Sequence, residues 1–133
     1  MNGVSGLIEY DAASPEVRAV YDDIMATRQV DRVNNFWKVL ANHPPTLRQV
    51  WAEVKAVMAP GALDALTKEM IYVAVSATNG CECCTHSHTA GARAKGMTEE
   101  MLGELLAVTA LANKTNRLAN GYRVPVDEMF RNT

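Results

Sequence analysis

Apolar side chains recur along this 133-residue chain at intervals of three and four, the period of an α-helix. In "SPEVRAVYDDIMATRQ", Val17, Val20, Tyr21, Ile24 and Met25 share one side. Ser14 suits the N-cap, Pro15 the first helical position, and Glu16 the positive end of the helix. A second helix fits "NNFWKVLANH" and ends before Pro44-Pro45. A third runs from about Pro45 through "TLRQVWAEVKAVMA" to the break at Pro60-Gly61. Asp64 caps a fourth, "ALTKEMIYVAVSATN", which Gly80 stops. The fifth opens on a cluster of cysteines and reaches Lys95, with Gly96 as its C-terminal cap. Thr98 caps a sixth, with Glu99 and Glu100 in its first turn, and "MLGELLAVTALANKTNRLAN" carries it to about Gly121. A last short helix follows Pro125. The β-prone run "IYVAV" lies inside a longer helical pattern with no hairpin turn beside it. The pattern predicts an all-α chain, one domain over residues 1–133 with about six to seven helices.

Two segments, "MIYVAVSA" and "MLGELLAVTALA", are apolar on most faces. Helices of that kind are deeply buried, in a core or in a subunit interface. For so small a chain they predict a homo-oligomer that assembles through apolar helix faces. Trp37, Trp51, Phe36 and Tyr72 read as core or interface packing. Lys68, Arg93 and Lys95 read as ordinary helix-face charge, and His43 as a helix-end residue that hydrogen-bonds the last carbonyls.

Composition narrows the classes of function. Apolar residues make up 48% and charged residues 21%, with a formal net charge of −2, the balance of an ordinary soluble globular protein. No basic run interleaves with aromatics, which argues against nucleic acid as a partner. No apolar run reaches the roughly 18 residues needed to span a bilayer. The start, "MNGVSGLIEYD", lacks the basic stretch and apolar core of a signal peptide. Together these predict a cytoplasmic protein. All three cysteines, Cys81, Cys83 and Cys84, fall within four residues. So close together, they cannot staple distant parts of the chain, and they point to redox chemistry or metal binding.

The stretch "NGCECCTHSH", residues 79–88, holds every cysteine and two of the three histidines. At roughly 100° per residue, Cys84 and His88 fall within about 60° of Cys81, while Cys83 and His86 point the other way. Two sulfurs in a Cys-X-X-Cys pair can close a disulfide with little backbone movement. The helix start favours a thiolate, which by itself makes Cys81 the more acidic thiol. A histidine one turn beyond Cys84 can take its proton or hydrogen-bond its sulfur. If the fourth and fifth helices pack antiparallel across Gly80, Glu69 lies on the facing helix as a candidate proton relay. Its apolar flanks in "LTKEMIYVAV" predict a pKa raised by burial.

Glu69, eleven residues, Cys81, two residues, Cys84, three residues, His88: this spacing resembles the signature of AhpD-like alkylhydroperoxidases within the carboxymuconolactone decarboxylase family. The signature region is residues 64–97, and "FWKVLANHPPTLRQVW" is similar to the helical region that precedes it in many members. The resemblance implies a compact AhpD-like helical domain assembled as trimers or hexamers. It implies a peroxidase cycle in which Cys84 attacks the peroxide, Cys81 resolves the sulfenic acid to a disulfide, and His88 and Glu69 relay protons. A lipoyl-bearing or thioredoxin-like dithiol partner then reduces the disulfide. No metal, haem or flavin cofactor enters that cycle. Peroxidase members often carry a second histidine just before the second cysteine; here Cys83 takes that place.

Two other readings stand beside it. Cys81, Cys84, His88 and Glu69 are legitimate zinc ligands, so the same residues could hold a metal in a structural module. The decarboxylase branch of the family works on a lactone and does not rely on the cysteine pair, whose presence argues against that branch.

Overall fold

A computed structural model describes residues 4–131. The leader reading starts at Met1, and residues 1–3 lie outside the described residues. The described residues form six α-helices, two single-turn 3₁₀ segments and no strand, so the all-α expectation holds. They divide into two units, Met1–Gly61 and Ala62–Thr133.

In the first unit α1 spans Pro15–Arg28, α2 Asn35–Leu40 and α3 Pro44–Met58. Ser14 caps α1 as its type predicts, its hydroxyl accepting from the Val17 N–H at 3.3 Å. Helix α2 is shorter than the pattern suggested. The residue before a proline avoids the helical region, and the chain leaves the helix through turn bonds from Asn42 N–H to Val39 O and His43 N–H to Leu40 O. His43 thus bonds the last carbonyl of α2 through its backbone N–H, as expected of a helix-end residue, and also stands as the N-cap of α3, where its Nδ1 meets Thr46 Oγ1 at 2.7 Å. Pro44 and Pro45 open α3, where missing N–H groups cost nothing.

Val17, Tyr21 and Ile24 of α1, Trp37 of α2, and Leu47 and Trp51 of α3 build this unit's core. The two indoles meet edge to face at 5.4 Å, and the Arg28 guanidinium lies 5.6 and 5.5 Å from their centroids. Trp51 Nε1 donates to Asp23 Oδ2 at 2.7 Å, and Lys55 Nζ reaches the same oxygen at 2.9 Å. The indole bond first, then the ammonium, holds the Asp23 carboxyl below its usual range. Phe36, expected in a core or interface, touches Trp37 but remains exposed.

The second unit contains α4, Ala65–Asn79; α5, Glu82–Ala94; and α6, Glu99–Gly121. Asp64 caps α4 through the Thr67 N–H at 2.7 Å, and Thr98 caps α6 through the Met101 N–H at 3.1 Å. Gly80 ends α4 at φ +68°, a backbone conformation that suits glycine. The Cys81 N–H then bonds back to Ser76 O at 2.9 Å, which fixes where α5 begins. Helix α4 packs against both α5 and α6. A single 3₁₀ turn, Glu128–Phe130, stands where a short last helix was expected.

The expectation that α4 and α6 are deeply buried is only partly met within the chain. Helix α4 buries Glu69, Val73 and Ser76 but leaves Ile71 and Val75 about half exposed. Helix α6 buries none of its 23 residues. Val108 is 67% exposed and Leu111 61%, because α6 rests on α4 and presents its remaining faces outward.

Candidate active site

The turn at Gly80 folds α5 back along α4, and Glu69 meets His88 across that pair of helices. Glu69 is buried, at 9% exposure. Its Oε2 lies 2.7 Å from His88 Nδ1, and its Oε1 accepts from Lys95 Nζ at 3.2 Å. An ionised carboxylate only accepts, so Nδ1 carries the hydrogen and the neutral ring keeps its lone pair on Nε2. Tyr72, one turn along α4 from Glu69, stacks on the imidazole with ring centres 3.6 Å apart and planes inclined by 22°. Gly91 permits this arrangement. A Cβ there would stand 3.1 Å from Cδ and from both carboxyl oxygens of Glu69.

Burial pushes the Glu69 carboxyl upward, as the apolar flanks suggested. The hydrogen bond and charge of His88, and then those of Lys95, outweigh it and hold the group below its ordinary value. The expected raised pKa is therefore overturned: two cationic or donor groups on one carboxylate exceed its desolvation. Glu69 is an anion at neutral pH.

Cys81 is the N-cap of α5 and Cys84 lies in its first turn, both half-buried. The Cys84 thiol and the Cys84 backbone N–H both hydrogen-bond Cys81, and they lower the Cys81 thiol. Donating to Cys81, with burial and the charges of Cys81 and Cys83 adding to it, pushes Cys84 up to about 11. Cys81 is thus the first of the pair to ionise, in line with its place at the helix start. Among the described residues, His88 hydrogen-bonds Glu69 and neither sulfur.

Cys83 and His86 are exposed, on the sides of α5 that the helical count assigned them. His86 lines a cavity of about 270 Å³ with Val73, Thr85, Thr89, Arg93, Leu102 and Leu106. No group of three or more His, Cys, Asp or Glu side chains among the described residues is arranged to hold a metal ion. The four-residue zinc set read from the sequence is not assembled, since the Glu69 oxygens are taken by His88 and Lys95.

Three residues at this site were not read as part of it from the sequence: Tyr72 was assigned to packing, Lys95 to helix-face charge, and Gly91 was given no role. Lys95 was within reach of the same helical count. It lies seven residues beyond His88, within about 20° of it around the axis. Gly91 and Tyr72 show themselves only once α4 and α5 are in register.

The sequence matches the model of the Carboxymuconolactone decarboxylase family over residues 44–127. The fold matches a crystal structure of the alkylhydroperoxidase AhpD core from Rhodospirillum rubrum, with a TM-score of 0.93, 51% identity and 98% of each chain covered. An uncharacterized protein of the cox locus of Paracoccus denitrificans is 45% identical over 56 residues, 42% of this chain and 50% of that protein. The chain thus matches about half the length of that relative. An uncharacterized protein of Cupriavidus necator is 31% identical over 84 residues, 63% of this chain and 74% of that protein.

Proposed function

The chain belongs to the carboxymuconolactone decarboxylase family, with an AhpD-like helical fold, and on that premise we propose that it is a thiol-dependent alkylhydroperoxidase. The observation that carries this reading is the pairing of a shared Cys81–Cys84 hydrogen bond with a buried Glu69–His88 contact at 2.7 Å, one helical turn further along α5.

The cycle needs a thiolate, a resolving sulfur and a path for protons. Moving the Cys84 proton to Cys81 frees Cys84 as the nucleophile. Its sulfur attacks the terminal peroxide oxygen and the O–O bond breaks. Cys84 becomes a sulfenic acid, and the departing alkoxide takes a proton to leave as the alcohol. Cys81, deprotonated again, attacks the sulfenic sulfur and expels hydroxide, which is protonated to water as the disulfide closes. His88 Nε2 accepts and returns these protons, while the Glu69 anion holds Nδ1–H and stabilises the imidazolium. A dithiol of the lipoyl or thioredoxin type restores both thiols by exchange. The work is thiol chemistry throughout and draws on no metal, haem or flavin. The cytoplasm, a reducing compartment, suits it.

The apolar residues that α6 presents, Leu106, Val108, Leu111 and Leu118, support a homo-oligomer, for which the family resemblance implies a trimer or a hexamer. No helix among the described residues is long and apolar enough to cross a membrane.

Mass spectrometry before and after one equivalent of an organic hydroperoxide tests the reading. The expected result is loss of a pair of hydrogens, mapped to Cys81–Cys84 and reversed by a dithiol. Cys84→Ser should abolish peroxide consumption in a protein that still folds. Full turnover in that variant, or thiols inert to peroxide, would overturn the assignment.

A further inference from the structure

His88 and Gly91 lie on one stripe of α5, and Lys95, the residue that caps its C-terminus, follows in the same direction, at i, i+3 and i+7. The Glu69 carboxylate from α4 lies over the middle of that stripe. Gly91 supplies the floor, where a Cβ would come within 3.1 Å of all three carboxyl atoms. Each oxygen has its own partner: Oε2 faces the imidazole and Oε1 faces the ammonium of Lys95. A carboxylate held at one oxygen only can rotate about its terminal bond and offer either oxygen to a donor. Held at both, on a floor that fits it, it cannot. We propose that Lys95 is a positioning residue of the proton relay, which fixes Glu69 over Gly91 so that Oε2 alone serves His88 and the imidazole keeps one tautomer and one orientation.

This inference rests on the peroxidase reading for its effect on turnover, while its structural content stands apart from it. Lys95 is well suited to the task. Its side chain is 41% exposed, so it keeps its charge in contact with solvent while its ammonium reaches an oxygen of a group only 11% exposed. The titratable groups that act on Glu69 are His88 of α5 and Lys95 at its C-terminal cap; Tyr72, on α4, lies against the imidazole. Without Lys95, burial and one remaining partner act on the carboxyl, and it takes up a proton at higher pH than in the wild type. A protonated Glu69 no longer demands the hydrogen on Nδ1. Both tautomers then exchange, and the base loses its fixed aim.

The test compares wild type, Lys95→Gln and Lys95→Arg in three measurements. The first is the titration of the Glu69 carboxyl carbon by NMR. In the second, the ¹⁵N shifts of His88 report its tautomer. The third is the pH profile of organic hydroperoxide consumption with a dithiol reductant. Lys95→Gln should move the Glu69 midpoint to higher pH and mix the His88 tautomers. Turnover should drop roughly tenfold at the acid end of the profile, a fraction of what a positioned base contributes. The deficit should shrink toward higher pH. Lys95→Arg, which keeps the charge, should restore all three. The proposal is overturned if Lys95→Gln leaves the Glu69 titration and the His88 tautomer as in the wild type. It is equally overturned if Lys95→Arg fails like Lys95→Gln, or if the tautomers mix and the profile does not move. A wild type that consumes no peroxide would sink the peroxidase reading alone, and the two NMR measurements would still decide the role of Lys95.

Discussion

Removing Cys81 should make Cys84 more reactive toward an alkylating agent, not less. Cys84 is pushed up to about 11 from an ordinary 9.0, chiefly because its thiol donates to Cys81. At pH 7 a thiol at about 11 is ionised to roughly one part in 10⁴, and one near 9 to roughly one part in 10². Thiolate abundance therefore rises up to about a hundredfold when the cause is removed. Intrinsic nucleophilicity falls as the pKa falls, with a Brønsted slope of about 0.4–0.5, and returns a factor of roughly eight of that gain. Burial of Cys84 remains and trims the rest, so the net acceleration should be about fivefold to tenfold. The assay is iodoacetamide labelling at neutral pH in a Cys83→Ala background, which silences the exposed third thiol. Fragment mass spectra follow Cys84 with Cys81 present and with Cys81→Ala. A Cys84 rate that stays the same or falls would show that its bond to Cys81 does not suppress it. The proton ordering of the pair would then be wrong.

Glu69→Gln keeps an oxygen for Nδ1–H of His88 but turns an amide N–H toward Lys95. It should cost about 1–3 kcal/mol of stability by thermal melting and about a hundredfold or more in peroxide turnover; wild-type turnover would remove Glu69 from the relay. The Glu69 carboxyl is lower in the folded chain than its ordinary 4.5. Its stabilising contribution is therefore full above that ordinary value and fades as pH falls through the folded one. Urea titrations of wild type and Glu69→Gln should differ most near neutral pH and converge in acid, and a gap that widened in acid would reverse the sign. Gly91→Ala gains about 1 kcal/mol of helix propensity yet places a methyl 3.1 Å from three Glu69 atoms. The expected balance is a net loss of about 1–2 kcal/mol with impaired turnover, and a stabilised, fully active variant would contradict the close approach.

What the chain disclosed beforehand was mostly what depends on near neighbours. Ser14, Asp64 and Thr98 cap their helices with bonds that reach three residues, so their type and place sufficed. Gly80 ended α4 for the same local reason. Glu69 and His88 lie nineteen residues apart, and their meeting followed only from assuming that α4 and α5 fold back on each other. The sign of the Glu69 shift was missed because it depends on how many partners surround the carboxyl, and Lys95 had been taken for surface charge. For helix α6 the sequence left two alternatives, a core or a subunit interface, and the single chain does not supply the core. An apolar pattern says that a face avoids water and is silent on whether the same chain covers it.

Helix α6 also has a consequence in time and in dilution. Its 23 residues keep a ladder of backbone hydrogen bonds without one fully buried side chain of their own to hold it. Most of a helix's stability comes from packing an apolar face, so a lone chain should open α6 far more often than α1 or α4. Its amides should then exchange with deuterium early, and proteases should find it first. Any second chain seated on Val108 and Leu111 would slow both clocks. Protection of this one helix should rise with protein concentration by mass action, while the Tyr21, Ile24 and Leu47 core of the first unit keeps its own pace.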